Sequence, residues 1–97
     1  MDISLKIKEI KKHGEFVLQN QKTKQECRLI LQFYGVQTPQ VGDVLLLNER
    51  LLNPKDEWFS QPYAFEALED GDDGLKEIDL AGLITKDKKY LLKRVYG

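Results

Sequence analysis

Residues 26–34 read Glu26-Cys27-Arg28-Leu29-Ile30-Leu31-Gln32-Phe33-Tyr34. Cys27, Leu29, Leu31 and Phe33 fall on one side of a period-2 alternation, and Arg28, Ile30, Gln32 and Tyr34 on the other. That is the pattern of a strand with one buried face, and the first set is the core set. Upstream, Ile3, Leu5 and Ile7 alternate with Ser4, Lys6 and Lys8 in the same way. Lys12-His13-Gly14-Glu15 reads as a turn in which Gly14 is free to take positive φ. Phe16 and Leu18 share a face in the next strand, and the polar run from Asn20 to Lys24 joins it to residues 26–34 as a hairpin.

Downstream, Gly35, Pro39 and Gly42 punctuate a connection too short and too broken for a helix of ordinary length. Val44-Leu45-Leu46-Leu47 is a continuous apolar run, expected of a central strand covered on both faces. Asn53-Pro54-Lys55-Asp56-Glu57 interrupts the pattern, and Tyr63, Phe65 and Ala67 then alternate with Ala64, Glu66 and Leu68. The chain is therefore expected to be mainly β, with strands near 3–10, 15–20, 26–34, 43–48 and 62–68. Ile3, Leu5, Ile7, Phe16, Leu18, Leu29, Leu31 and Phe33 should fill the interior.

Residues 1–68 form the expected barrel core and 69–74 an acidic solvated loop, and 75–97 are an extension within one domain spanning 1–97. Leu75, Ile78 and Leu83 suit a short helix, whereas Gly82, Ile84 and Thr85 suit a strand. Tyr90 to Tyr96 reads as a strand, joined to Ile84 through the Lys86-Asp87-Lys88-Lys89 turn.

A chain of 97 residues supports one core. Its 41% hydrophobic and 32% charged residues belong to a folded protein and not to a disordered one. The single cysteine, Cys27, makes no internal disulfide, which favours a reducing compartment. The alternating, lysine-interspersed N-terminus lacks the apolar run of a signal peptide or membrane span. A cytoplasmic location with no membrane partner is the resulting expectation.

Net charge is −1, unevenly placed: residues 1–34 carry +3, residues 35–80 carry −8 and residues 81–97 carry +4. A fold can either mix these segments or gather the basic ends on one face. No repeat or low-complexity tract is present.

The strand spacing, with Val41-Gly42-Asp43-Val44-Leu45-Leu46-Leu47 opening the fourth strand, resembles the OB-fold, a five-stranded Greek-key barrel. The resemblance covers Ile3 to about Leu68. The connection before Val44 has no room for the helix that usually closes such a barrel, so the segment from Leu75 onward is expected to act as the plug. The resemblance implies a ligand face on the second and third strands and on the loops joining strands one to two and four to five. Carried onto this chain, those positions are Lys11, Lys12 and His13 in the first loop, Arg28, Gln32 and Tyr34 on the third strand, and Trp58 and Phe59 in the long loop. Cations that track phosphates beside aromatic faces that stack bases suit single-stranded nucleic acid. Trp58 and Phe59 have a competing use as a cover over one barrel end.

Catalytic patterns are missing. His13 and Cys27 fall on different elements, with Cys27 on the apolar face, so no nucleophile, base and orienting group are assembled. There is no Cys-x-x-Cys pair, Asp70-Gly71-Asp72-Asp73-Gly74 lacks the ligand pattern of a calcium loop, and no glycine-rich phosphate loop occurs. No cofactor or metal is expected. The sequence thus points to a non-enzymatic binding module for single-stranded nucleic acid, with a protein-interaction or accessory domain on the same scaffold as the alternative.

Overall fold

The computed structural model describes residues 2–51 and 63–95. Among them are seven strands: β1 Asp2–Ile10, β2 Glu15–Asn20, β3 Glu26–Tyr34, β4 Val44–Asn48, β5 Tyr63–Ala67, β6 Leu80–Ile84 and β7 Lys89–Val95. They close into a barrel in the order β1-β2-β3-β5-β7-β6-β4. β3 and β5 run parallel, and every other neighbouring pair is antiparallel. Within the ring, β4-β1-β2-β3 is a Greek key, because the fourth strand returns by a long connection to lie beside the first.

The expected five strands are all present, but the count is corrected to seven. β4 and β5 are not neighbours: β4 pairs with β6, β5 pairs with β7, and the β6–β7 hairpin fills the gap between them. The segment expected as a plug therefore supplies two staves of the barrel wall. A helix forms only as the single 3-10 turn Glu77–Asp79 before β6. Gly82 disfavours helix, and with the strand in place Leu83 points inward and is fully buried.

Local chemistry sets the turns. Asn20 Oδ1 accepts from the Lys22 and Thr23 amides at 2.9 and 3.2 Å, an Asx-type bend that closes the β2–β3 hairpin. Gly42 has φ +99°, and its N–H donates to the Ile7 carbonyl at 2.9 Å. The Asp43 carboxylate accepts from the Gln40 amide at 2.9 Å, and its carbonyl accepts from the Ile7 amide at 2.8 Å. The Gly42-Asp43 pair thus ties the β3–β4 connection to β1 where the β1–β2 register slips by one residue, between Ile7 and Glu9. Val36 packs against the core from this connection, and Pro39 is buried.

Leu5, Ile7, Phe16, Leu18, Leu31, Leu45, Leu47, Phe65, Leu83 and Leu92 fill the barrel. Ile3, Leu29 and Phe33, expected inside, are half-buried and pack against that cluster. Phe33 bridges two rings, edge-on to Phe16 at 6.0 Å and stacked on Phe65 at 5.8 Å between centroids. Below them the Tyr63 hydroxyl donates to the Leu51 carbonyl at 2.8 Å, and the Arg94 guanidinium lies 4.7 Å from the Tyr63 ring centroid. Among the described residues no buried side-chain nitrogen or oxygen lacks a hydrogen-bond partner. The both-faces-covered expectation for β4 holds in part, since Leu45 and Leu47 are buried whereas Val44 and Leu46 face outward and are half-buried.

Two adjacent residues of β7 test whether the hairpin is integral. Leu92→Ala is expected to lower the unfolding free energy by about 2–5 kcal/mol, the range also expected of Leu31→Ala, because both leave a cavity in one core. Leu91, 57% exposed, should tolerate alanine within about 0.5 kcal/mol. Urea denaturation measures both, and a Leu92→Ala loss as small as that of Leu91→Ala would make the hairpin an appendage.

Candidate functional surface

The outer face of β3 presents Arg28, Ile30, Gln32 and Tyr34, as the alternation requires. Arg28, Gln32 and Tyr34 are exposed, Tyr34 to 52%, and Ile30 is half-buried. β2 runs beside the first half of the strip, pairing Arg28 with Val17 and Ile30 with Glu15. Beyond Ile30 the neighbour is the β1–β2 turn, a 3-10 turn over Lys12–Gly14. His13 and Gly14 both take left-handed conformations, φ 63° and 77°. A side chain at Gly14 would begin 3.3 Å from the Leu31 carbonyl oxygen. Positive φ and this close approach together explain glycine at the position.

The turn is closed by the Lys11 amide donating to the Glu15 carbonyl at 2.7 Å. Lys12 and His13 are exposed and Lys11 is half-buried. Folding therefore brings the first-loop residues beside the third-strand residues, six of the eight sequence-chosen positions. Trp58 and Phe59 lie outside the described residues.

Several partners on this strip were not legible in the alternation. Glu15 approaches Arg28 at 3.8 Å and offsets part of its charge. The Tyr34 hydroxyl donates to Gln32 Oε1 at 3.1 Å, which orients the Gln32 amide nitrogen away from the tyrosine. Across the parallel pair Tyr34 stands beside Glu66, and Glu66 beside Lys93. Lys93 does not add a mobile cation here, because its ammonium donates to Asp72 Oδ1 at 2.8 Å. Register pairing could have suggested Glu15 opposite Ile30, one step from Arg28. Nothing in local pattern marks the Asp72–Lys93 contact, which joins residues 21 apart in sequence.

The groups that could support covalent chemistry are kept apart. Cys27 is on the inner face of β3, opposite Leu18 and packed against the core. Burial pushes its thiol above the usual 9.0, which disfavours the nucleophilic thiolate. His13 sits in the exposed turn. Among the described residues no group of three or more His, Cys, Asp or Glu side chains is placed to hold a metal ion. Likewise, no helix among them is long and apolar enough to cross a membrane. A polar cleft of about 200 Å³ opens between the β3–β4 connection and the β6–β7 turn, with Asp43, Asp87 and Tyr90 on its walls. Lys88 covers Tyr90 there, its ammonium 4.5 Å from the ring centroid.

No protein-family model matches the chain, and neither a curated protein nor a solved structure matches it at a significant level.

The Asp72–Lys93 pair gives a pH prediction. The Lys93 hydrogen bond, then the Glu69 amide, hold the Asp72 carboxyl below its ordinary 3.8. The Asp72 hydrogen bond, with Asp72, Glu66 and Glu69 as nearby charges, holds the Lys93 ammonium above its ordinary 10.5. A lowered acid contributes stability that is present above its unfolded value and is lost as pH falls through the folded one. A raised base contributes stability that is present below its unfolded value and is lost as pH rises through the folded one. The contact is therefore constant across neutral pH. The Glu69 amide, which donates to Asp72 Oδ2 at 2.7 Å, is the reporter: its NMR shift should stay flat from neutral pH down to the ordinary aspartate value and move only below it. A transition near neutrality would contradict the pairing.

Proposed function

We propose that the chain is a non-enzymatic binding module of the OB type whose ligand surface is the outer strip of β3 together with the β1–β2 turn, and whose ligand class is single-stranded nucleic acid. The observation that carries this reading is the seating of the Lys12–Gly14 turn against Ile30 and Leu31. It sets the turn that carries Lys11, Lys12 and His13 beside the second half of the strip, which holds Gln32 and an exposed Tyr34. Cations at the margin supply phosphate contacts, the tyrosine ring supplies a stacking face, and the Gln32 amide nitrogen supplies a donor to a base or phosphate oxygen. The Greek-key order of β4-β1-β2-β3 supports the OB resemblance. The sequence reading adds Trp58 and Phe59, which lie outside the described residues.

A second reading, a protein-interaction domain, is favoured by a different observation. The outer face of β4, β6 and β7 carries Leu80, Ile84 and Leu91, exposed to 36, 40 and 57%, and apolar surface gathered in this way commonly marks a protein contact. Strand addition at an edge is not open to it among the described residues, since every strand already has two neighbours.

Anisotropy of a labelled mixed-sequence DNA 12-mer, titrated at several salt concentrations, tests the first reading. Three phosphate contacts, from Lys11, Lys12 and Arg28, predict a slope of log K against log salt of about −2, at about −0.7 per contact. Lys12→Ala should reduce that slope by about 0.7. Tyr34→Ala and Trp58→Ala should each weaken binding by about 1–3 kcal/mol, with thermal stability nearly unchanged. If Trp58 covers a barrel end instead, its alanine variant loses about 3–5 kcal/mol of fold stability. Absence of affinity at low salt, where phosphate contacts are strongest, overturns the nucleic-acid reading.

A further inference from the structure

The outer strip of β3 has different neighbours on its two flanks. β2 and the β1–β2 turn lie on one side and β5 on the other, so Gly14 comes close to Ile30 and Leu31 while Tyr34 pairs with Glu66. One flank is basic and the other acidic. Lys11, Lys12 and His13 belong to the turn, whereas the outward residues of β5 are Ala64 and Glu66.

Glu66 shares the outer face with Tyr34, because Phe33 and Phe65, one residue earlier on each strand, stack on each other inside. The side chain is half-buried. Its carboxylate makes no hydrogen bond or ion pair among the described residues, since Lys93, its register partner on β7, donates to Asp72 instead at 2.8 Å. A charged acceptor thus stands uncommitted one strand over from the exposed tyrosine, with about 4.8 Å between the two backbones.

We infer, on the reading that this strip binds single-stranded nucleic acid, that Glu66 reads the base stacked on Tyr34 and that this position prefers guanine. The two flanks fix the orientation of the strand. Phosphates are drawn to the turn and repelled by Glu66, which leaves the base edges pointing across β3 towards β5. An ionised carboxylate only accepts hydrogen bonds, so the preferred base is the one that offers it donors. Guanine alone carries two adjacent donors on one edge, N1–H and the 2-amino group, and meets both carboxylate oxygens at once. Cytosine and adenine offer a single amino group. The N3–H of thymine lies between two carbonyl oxygens that the carboxylate repels. Gln32 completes the match: its Oε1 is taken by the Tyr34 hydroxyl, and its amide nitrogen is left to donate to guanine O6.

Anisotropy at low salt tests the preference with a labelled all-thymine DNA 12-mer and the same strand carrying three guanines separated by thymines. The guanine strand should bind about tenfold more tightly. Inosine at the same positions, which lacks only the 2-amino group, should lose most of that gain. Glu66→Gln, nearly isosteric, should bring the guanine and thymine strands to within about twofold of each other. Affinity for the thymine strand should hold or rise in this variant, because a negative charge leaves the neighbourhood of the phosphates. A merely structural role for Glu66 would lower both affinities together and shift the circular dichroism melt. Equal binding of the two strands by the unmodified chain overturns the inference, as does a guanine preference that survives Glu66→Gln in a variant with a native melt. Either result leaves the single-strand reading standing as long as the thymine strand binds with an affinity that falls with salt. A chain that binds none of these strands at low salt overturns that reading, and this inference with it.

Discussion

Closure of the β-ring is the constraint on which the rest of this molecule depends. A strand leaves a row of N–H and C=O groups on each side, and each row must be paired or solvated. The Greek key of β4-β1-β2-β3, with β5 laid parallel to β3, ends in two open rows, one on β4 and one on β5. The β6–β7 hairpin satisfies both, pairing Leu45 to Leu83 and Leu46 to Gly82 on one side and Phe65 to Arg94 and Glu66 to Lys93 on the other. The same hairpin contributes Leu83 and Leu92 to an interior that would otherwise stay open. Hydrogen-bond closure and core closure are thus one event.

Closure also decides where function can reside. With no described strand edge available and the interior filled by side chains, ligands must meet the outer wall or the turns at its ends. The wall is not uniform. On β3 the outward residues are cationic, amide and phenolic, and the tight turn at His13 and Gly14 sets further cations beside them. On β4, β6 and β7 the outward residues are mainly apolar, with charges only along the margins. Asp72 on Lys93 fastens the long β5–β6 connection to β7, and Leu80, Ile84 and Leu91 stay exposed.

Legibility in the sequence followed the strength of local pattern. The alternation in residues 3–7 and 26–34 identified β1 and β3 with their inward residues, and Gly14 and Gly42 marked turns where positive φ is in fact used. The hairpin was harder to see. Leu80-Ala81-Gly82-Leu83-Ile84 has apolar residues on both parities and a glycine whose purpose, giving room to Leu46 and Lys89, appears only when β4 is beside it. The strand count failed because ring closure is a non-local requirement, and nothing within residues 75–97 states that β4 and β5 are apart. The outward direction of Arg28, Gln32 and Tyr34 on β3 was legible because strand parity fixes direction. Glu15 on Arg28 and Glu66 beside Tyr34 were not, since they depend on inter-strand register.

Interstrand NOEs at the two seams of the hairpin test the account most directly. Ring closure through β6 and β7 predicts backbone cross-peaks linking Leu46 with Gly82 and Phe65 with Arg94, the register partners at those seams. Backbone cross-peaks running directly between β4 and β5, with none from either strand to the hairpin, would contradict it.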